Sequence, residues 1–300
     1  MEEQKKIKTM TAKNMEQVKE RSRATAILVK IGTYLFLGVM ALIVLFPFYW
    51  MIISSLKTIN EYRMPVPTLF PEQGVQWVNY KDAFTTGQLG ILFKNSAVVG
   101  IVSTILSLVI TVLSAFAFAR LEFKGKNVLF AALLATMMIP GELFTITNYV
   151  TVMDWQWQNT YKVLIVPFLV SVFYIYLLKQ NFLQIPNELY LAAKVDGTSD
   201  LKYLWKVMIP LALPTLISIT ILKMMGAWNT YMWPNLVARR EDMLLVTNGI
   251  RNRAFLDAAG QTHFPQQMAA VAIVSAPLFM VFLFLRKYIM AGVSRSGIKG

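Results

Sequence analysis

The amino-acid sequence predicts an all-α integral membrane protein with six transmembrane helices. The chain of 300 residues is 56% hydrophobic and only 15% charged, with a mean hydropathy of +0.52. Uninterrupted apolar runs of about 18 residues or more are long enough to cross a bilayer as helices. Strands of a membrane barrel would instead alternate apolar and polar residues over about ten positions. The six predicted spans are 24–56, 91–119, 128–150, 161–178, 207–233 and 268–285.

The basic residues predict the orientation of these spans. The chain carries a net charge of +13, and most of its 29 Lys and Arg residues lie before the first span, in alternate loops, or after the last span. Such an excess marks the cytoplasmic side, so both termini are expected there. The positive charge is therefore interpreted as a mark of membrane orientation and as contact with anionic lipid headgroups. No nucleic-acid partner is expected. The predicted parts are cytoplasmic tails 1–23 and 291–300, a membrane domain 24–290, a cytoplasmic loop 179–207, and external loops 57–90 and 234–266.

Several classes of chemistry are absent from the sequence. It has no cysteine and one histidine, His263, which excludes disulfides, thiolate metal sites and histidine clusters. It also lacks the GxxxxGK[ST] phosphate loop. We therefore expect no catalytic residue, metal or cofactor in this chain. No cleavable signal is expected either, because the first 24 residues are polar and the apolar run that follows is too long for one.

Prolines within the spans predict kinks. Pro140 interrupts the third span, and Pro167 and Pro277 lie in the fourth and sixth. Proline removes a backbone hydrogen bond and clashes with the preceding helical turn. Of the external loops, 57–90 is expected to be turn-rich with a short amphipathic piece, and Gly260 is expected to end a helix in the other.

The polar segment between the fourth and fifth spans is the most ordered loop in the sequence. It reads LAAKVDG, then nine residues, then VMIP, over residues 191–210. A short helix around 190–195 is expected to stop at Asp196 and Gly197, and an amphipathic turn leads to Pro210 and Pro214. A loop that only reverses direction needs no such helix, so the pattern indicates a docking surface for a soluble partner.

This spacing resembles the cytoplasmic EAA loop of permease subunits of binding-protein-dependent ABC importers. The family pattern is Glu-Ala-Ala, three residues, Gly, nine residues and Ile-x-Leu-Pro, which Ala192, Ala193, Gly197 and Pro210 match. The sequence MGAWNTYMWP at 225–234 also resembles the fifth-span signature of carbohydrate-importer permeases. The likeness covers about residues 25 to 290 and is greatest to the second permease of maltose and glycerol-phosphate importers. It implies the type I ABC importer permease fold in a prokaryotic cell membrane.

One position departs from the family pattern. Leu191 stands where the family has its motif glutamate, and Glu188 lies three residues earlier on the same helical face. The polar contacts of the family glutamate cannot be transferred to Leu191, for which a packing role is expected.

The resemblance also implies partners. The short helix would enter a groove on a cytoplasmic ATPase, with Ala192 and Ala193 allowing close approach and Gly197 ending the helix. Asp196 would accept hydrogen bonds from nearby backbone amides. The implied assembly contains a second, homologous permease, two ATPase subunits that use ATP and Mg²⁺, an extracytoplasmic substrate-binding protein and membrane lipid. The alternative for the loop is an interfacial amphipathic segment without a partner.

Two charges are predicted inside the membrane. Counted from the cytoplasmic ends of their spans at about 1.5 Å per residue, Glu142 and Lys223 both lie about 21–23 Å deep. Charged groups at that depth generally face a cavity or a partner. Two interpretations follow: the two residues form an ion pair, or at least one of them lines the translocation pathway. An ion-coupled secondary transporter using these two residues is the alternative function, and a non-transporting scaffold is a third.

The aromatic cluster of the fifth span has two interpretations. Trp228, Tyr231 and Trp233 fit an interfacial belt or internal packing, which we favour over a sugar-stacking platform. Asn229 lies among them and needs a polar partner. Trp228 and Asn229 are therefore candidates for the translocation pathway together with Glu142 and Lys223.

Overall fold

The computed structural model describes residues 2–252, 255 and 260–294, with side chains for 27–251, 255 and 260–284. The chain in this part is built from helices joined by short turns, which confirms the predicted all-α class. The α-helices are α1 (Glu2–Ser55), α2 (Ile59–Tyr62), α3 (Val78–Thr86), α4 (Leu89–Arg120), α5 (Lys126–Thr136), α6 (Thr145–Asp154), α7 (Tyr161–Ile165), α8 (Val172–Leu183), α9 (Asn187–Val195), α10 (Asp200–Tyr203), α11 (Ile209–Leu211), α12 (Leu213–Asn229), α13 (Met232–Val237), α14 (Val246–Asn252) and α15 (Phe264–Ser294).

Six regions of this helical chain have the length and composition of membrane spans. Three are single helices: residues 27–55 of α1, α4, and residues 264–284 of α15. The other three are bent pairs, each counted as one span: α5 with 141–154, 161–168 with α8, and 200–211 with α12. Each of these regions overlaps one of the six predicted spans, and their number is six if each bent pair is one span.

The bends follow the prolines at two of the three predicted places. The third span turns by 84° at the break before Gly141, where Pro140 leaves the helical conformation. The fourth bends by 45° after a short 3₁₀ turn, Val166–Phe168, that contains Pro167. Pro277 is different, since α15 continues through it. The fifth span turns by 81° between α11 and α12, next to Pro210 and Pro214.

Helix α4 lies at the centre of the fold and packs against α8, α12, α14 and α3. Its buried side carries small residues three or four positions apart. Small residues in such a row let membrane helices approach closely. At Gly100 an added Cβ would lie 3.0 Å from the Met224 sulfur of α12. The other buried members of this row are Ser96, Ser103, Thr104, Ser107, Thr111 and Ala115.

Helix α1 is long and peripheral. Its 54 residues extend about 81 Å at 1.5 Å per residue, so residues 2–23 of the predicted tail 1–23 continue the first span as helix. Its contacts are mainly with α15, including an edge-on contact of Phe48 with Phe279 at 5.3 Å between ring centroids. Of the predicted C-terminal tail, residues 291–294 extend α15 and 295–300 lie outside the described residues.

The loop after α1 is held by a buried carboxylate. Turns and α2 lead into the amphipathic α3, as predicted for 57–90. Glu61 is only 1% exposed and accepts hydrogen bonds from the Thr68 hydroxyl at 2.7 Å and from the amides of Glu72 and Gln73. In the loop 234–266, Gly260 has a positive φ of 74°, but the residues just before it lie outside the described residues, so its predicted helix end stays a prediction.

Candidate functional site: a capped loop helix and a cavity between spans

Helix α9 ends in a Schellman motif built on Gly197. The Thr198 amide donates to the Ala193 carbonyl at 2.8 Å, and the Gly197 amide donates to the Lys194 carbonyl at 3.0 Å. This arrangement requires a left-handed residue, and Gly197 has φ of 69° with open space around it. The predicted helix and its glycine stop are confirmed, and the chain can turn directly into α10.

Polar contacts join α9 to α10. The Asp200 carboxylate accepts from the Tyr190 hydroxyl at 2.8 Å and pairs with the Lys194 amino group at 2.7 Å. The Tyr190 ring packs on the buried Tyr203 ring, with centroids 5.1 Å apart. Burial and the neighbouring Asp200 carboxylate raise the pKa of Tyr190. The Lys194–Asp200 pair is open to solvent, which screens it, so it contributes little to stability.

The loop helix is fixed to the bundle by Arg120, the last residue of α4. Arg120 is only 8% exposed, and its guanidinium donates to the Phe182 carbonyl in the last turn of α8 and to the Ile185 carbonyl just after that helix. It also donates to the Asn187 side chain at the start of α9, at 3.3 Å. In the sequence, Arg120 is only one of the basic residues that predict the orientation of the spans. Its position just before a loop gave no sign of these contacts, which join segments more than 60 residues apart.

An exposed apolar face runs along this loop. Leu191 is 55% exposed and Val195 87% exposed on α9, and Leu201 and Trp205 are similarly open on the following turns. More than half of the Leu191 side chain is therefore open, and a partner would be needed to cover it for the expected packing role. Ala192 is exposed, whereas Ala193 is half-buried and packs against the core of α4, α8 and α12. Only Ala192 of the two predicted alanines is open to a partner.

The remaining loop candidates are exposed. Glu188 lies in the first turn of α9, where a negative charge favours the helix dipole. The Asp196 carboxylate accepts no hydrogen bond from any described backbone amide, so the contact expected for it is not formed. Pro210 lies in α11, one residue before the bend into α12.

A cavity of about 330 Å³ lies between α4, the broken fourth span, α12 and α13. Lys223 of α12 points into it, and its amino group donates to the Phe168 carbonyl left free at the break of the fourth span. Hydroxyl and aromatic side chains complete the polar and apolar parts of the wall. They include Ser103, Ser171, Tyr174, Phe168 and Trp233.

The structure does not bring Glu142 and Lys223 together. Glu142 is exposed in the 3₁₀ turn Gly141–Phe144, at the bend of the third span. Within the described residues Lys223 has no carboxylate within salt-bridge distance. The expected ion pair is therefore not formed, and the ion-coupled alternative loses the pair on which it depended.

Trp228 and Trp233 of the fifth span are packed against neighbouring residues and do not form an exposed sugar-stacking surface. Trp228 is 8% exposed and contacts Phe93, with ring centroids 5.7 Å apart. Trp233 donates from its indole nitrogen to the Val163 carbonyl at 2.8 Å and meets Phe168 edge-on. The favoured packing interpretation holds for both. Asn229 is exposed at the last position of α12.

Comparison with known proteins gives a family match over most of the membrane domain. Residues 107–295 match the family of binding-protein-dependent transport system inner membrane components. The chain is 30% identical to the arabinooligosaccharides transport system permease protein AraQ of Halalkalibacterium halodurans, over 87% of this chain and 93% of that one. It is 26% identical to the sn-glycerol-3-phosphate transport system permease protein UgpE of Pectobacterium atrosepticum, over 86% and 93%.

A solved structure shares the fold. It is a crystal structure of a bacterial ABC transporter that imports the acidic polysaccharide alginate, and the match has a TM-score of 0.79 at 21% identity. The match covers 87% of this chain and 96% of the other. The arrangement of spans described above is therefore that of an ABC importer permease.

Proposed function

Because this chain belongs to the family of binding-protein-dependent transport system inner membrane components, a multi-pass family of the cell membrane, we propose that it is a permease subunit of an ATP-driven carbohydrate importer. It forms part of the translocation pathway, and residues 187–210 couple it to ATP hydrolysis by a cytoplasmic ATPase. The carbohydrate class is inferred from relatives such as the arabinooligosaccharides permease AraQ.

The observation that carries this proposal is the geometry of the docking segment, residues 187–210. A two-turn helix, fixed at its start and capped at its end, displays an apolar face on which Leu191 and Val195 are more than half exposed. Exposed apolar side chains on a rigid scaffold are typical of protein interfaces. Arg120 fastens the start of this helix to α4 and α8, so a push on α9 is transmitted to the central span.

The test is a substitution on the exposed side of α9. Ala192→Arg adds a long cation in the middle of the docking face without touching the core. We expect loss of ATPase copurification and at least about a tenfold fall in ATP-dependent saccharide uptake, since a clash and an unpaired charge at an interface cost several kcal/mol. Uptake is measured with the complex and its binding protein in proteoliposomes.

The matched control is Asn127→Arg. It places the same side chain at an exposed position at the start of α5, outside the docking segment. We expect normal ATPase association and uptake. Equal behaviour of the two variants would reject the docking segment as the ATPase interface.

The proposed partners follow from the surfaces that remain open. A second permease, homologous to this chain, would cover part of the apolar face of α1, whose apolar 18-residue stretch contains no buried residue, and lipid would cover the rest. An extracytoplasmic binding protein would meet the external loops, with both termini of the chain in the cytoplasm.

ATP and Mg²⁺ would be used by two ATPase subunits, since the sequence has no phosphate loop of its own. The chain itself is proposed to be no enzyme. The ion-coupled alternative is disfavoured by the family match and by the separation of Glu142 from Lys223.

A further inference from the structure

The cavity beside Lys223 has the size and composition of a small-molecule site. Its volume of about 330 Å³ lies in the range of ligand pockets, which are mostly apolar with a few convergent polar groups. It opens where the fourth span is broken and the fifth approaches α13. In transport proteins, irregular backbone at membrane depth occurs where it lines a cavity.

The charge of Lys223 is not explained by the contacts within the chain. The amino group has three donors, and the Phe168 carbonyl takes one of them. A neutral amide would satisfy that carbonyl without the cost of holding a charge inside a membrane span. The cavity wall carries no acidic residue, and no described carboxylate pairs with Lys223. A cation so placed is complemented by an anion that enters from outside the chain.

The groups around the cation suit a sugar. The Tyr174 hydroxyl makes no hydrogen bond with another described residue, and the Ser171 oxygen accepts from the Tyr174 amide, leaving its own proton to donate. The Phe168 ring is 43% exposed at the wall and is held by an edge-on contact with the packed Trp233 ring, with centroids 5.8 Å apart. Hydroxyl groups can hydrogen-bond sugar hydroxyls while an aromatic face covers the apolar face of a sugar ring.

We propose that this cavity is a subsite for an anionic saccharide, in which Lys223 pairs with a carboxylate or phosphate of the cargo during its passage. Tyr174 and Ser171 then bind the sugar hydroxyls. The inference rests on the proposed importer function and narrows its substrate class. In this proposal the chain itself contacts the transported saccharide.

The first test measures the charge of the cavity with thiol reagents. The chain has no cysteine, so Ala227→Cys introduces a single thiol on the cavity wall, one helical turn after Lys223. Its rates of modification by an anionic methanethiosulfonate (sulfonatoethyl) and a cationic one (trimethylammonioethyl) are compared by mass spectrometry of this chain, in the full complex. The complex is held in phosphatidylcholine nanodiscs, which offer no anionic lipid headgroup.

We expect the ratio of anionic to cationic rates to fall about tenfold when Lys223→Gln is added, because a single charge steers small ions by that order. Lys162→Gln is the control: it removes an exposed lysine from the start of the same broken span and should leave the ratio unchanged. A ratio that does not respond to Lys223→Gln overturns the proposal.

The second test measures protection of the introduced thiol by saccharides. Digalacturonate and glucose phosphate should slow modification several-fold, whereas galactobiose and glucose should not. Lys223→Arg should keep this preference, and Lys223→Gln should abolish it. Glutamine retains a donor for the Phe168 carbonyl. Protection that is unchanged in Lys223→Gln would therefore show that Lys223 serves only to satisfy that carbonyl. Protection by one acidic probe alone identifies carboxylate or phosphate as the group bound.

Failure of this inference is distinct from failure of the proposed function. Uptake of a neutral saccharide that needs ATP, with no acidic preference in the cavity, would keep the importer and reject the subsite. Charge selectivity and acidic protection without any ATP-dependent uptake would keep the subsite and reject the importer.

Discussion

Helices α1 and α4 have the same mean hydropathy of 2.4 over their membrane-length parts, yet they occupy opposite places in the fold. In the apolar 18-residue stretch of α1 no residue is buried, whereas 39% of the residues are buried in that of α4. The difference lies in the row of glycine, serine and threonine residues on the buried side of α4. The glycines of α1, Gly32 and Gly38, form no such row and have nothing within 4 Å. Hydropathy thus identifies a span, whereas small side chains determine which span becomes the centre.

Removing the anchor at the end of α4 should have the largest effect on the chain. Arg120→Met leaves the carbonyls of Phe182 and Ile185 without their charged donor inside the protein. Hydrogen bonds from charged groups contribute about 1.5–3 kcal/mol, so we expect a loss of about 3 kcal/mol in the free energy of unfolding. The measurement is the denaturation midpoint of the purified permease in detergent, with ATPase copurification as a second readout.

Lys124→Met is the control for this anchor. Lys124 is an exposed basic residue in the loop directly after α4 and makes no comparable contacts with the described residues. Its replacement should leave the midpoint within experimental error. If Arg120→Met were as mild as Lys124→Met, α4 would not hold the docking segment in place.

A matched pair of glycines tests the comparison between α1 and α4 directly. Gly100→Leu in α4 drives a branched side chain toward Met224 of α12, where even a Cβ would lie 3.0 Å from the sulfur. Overpacking of this kind costs about 1–3 kcal/mol. Gly38→Leu makes the same change in α1, where nothing lies within 4 Å, and should not destabilise the chain.

The readout for both glycine variants is the denaturation midpoint of this chain alone. Comparing the same variants in the assembled complex sharpens the result. A Gly38→Leu effect that arises only with the second permease present would identify Gly38 as part of that interface. Equal destabilisation by both substitutions in the isolated chain would contradict the peripheral position of α1.

The sequence predicted what short-range patterns encode. The span regions followed from apolar runs, the bends near Pro140 and Pro167 from the backbone chemistry of proline, and the end of α9 from Gly197. The contacts of Arg120 and the position of Lys223 depend on residues 55 or more positions away, and no local pattern marks them. Equal depth suggested a Glu142–Lys223 pair, but depth alone does not fix the direction in which a helix faces. The bend at Pro140 leaves Glu142 exposed instead.

The loop that follows α1 should show the smallest effect, a dependence of stability on pH. Burial alone would raise the pKa of Glu61, but hydrogen bonds from Glu72, Thr68 and Gln73 and the charge of Lys57 outweigh it, so the pKa is lowered. A lowered pKa means that the ionised carboxylate stabilises the fold fully above the ordinary glutamate pKa of about 4.3, and this contribution is lost as the pH falls through the lower, folded value.

We therefore expect the loop to open on acidification below about pH 4, measured by hydrogen exchange of residues 57–76. Glu61→Gln should weaken the loop by about 1 kcal/mol at pH 7 and remove this acid dependence, because glutamine has one acceptor oxygen and no charge. Glu72→Gln changes an exposed carboxylate of the same loop and should preserve the acid dependence. If Glu61→Gln kept the wild-type acid profile, the Glu61 carboxylate would not be what holds the segment after α1.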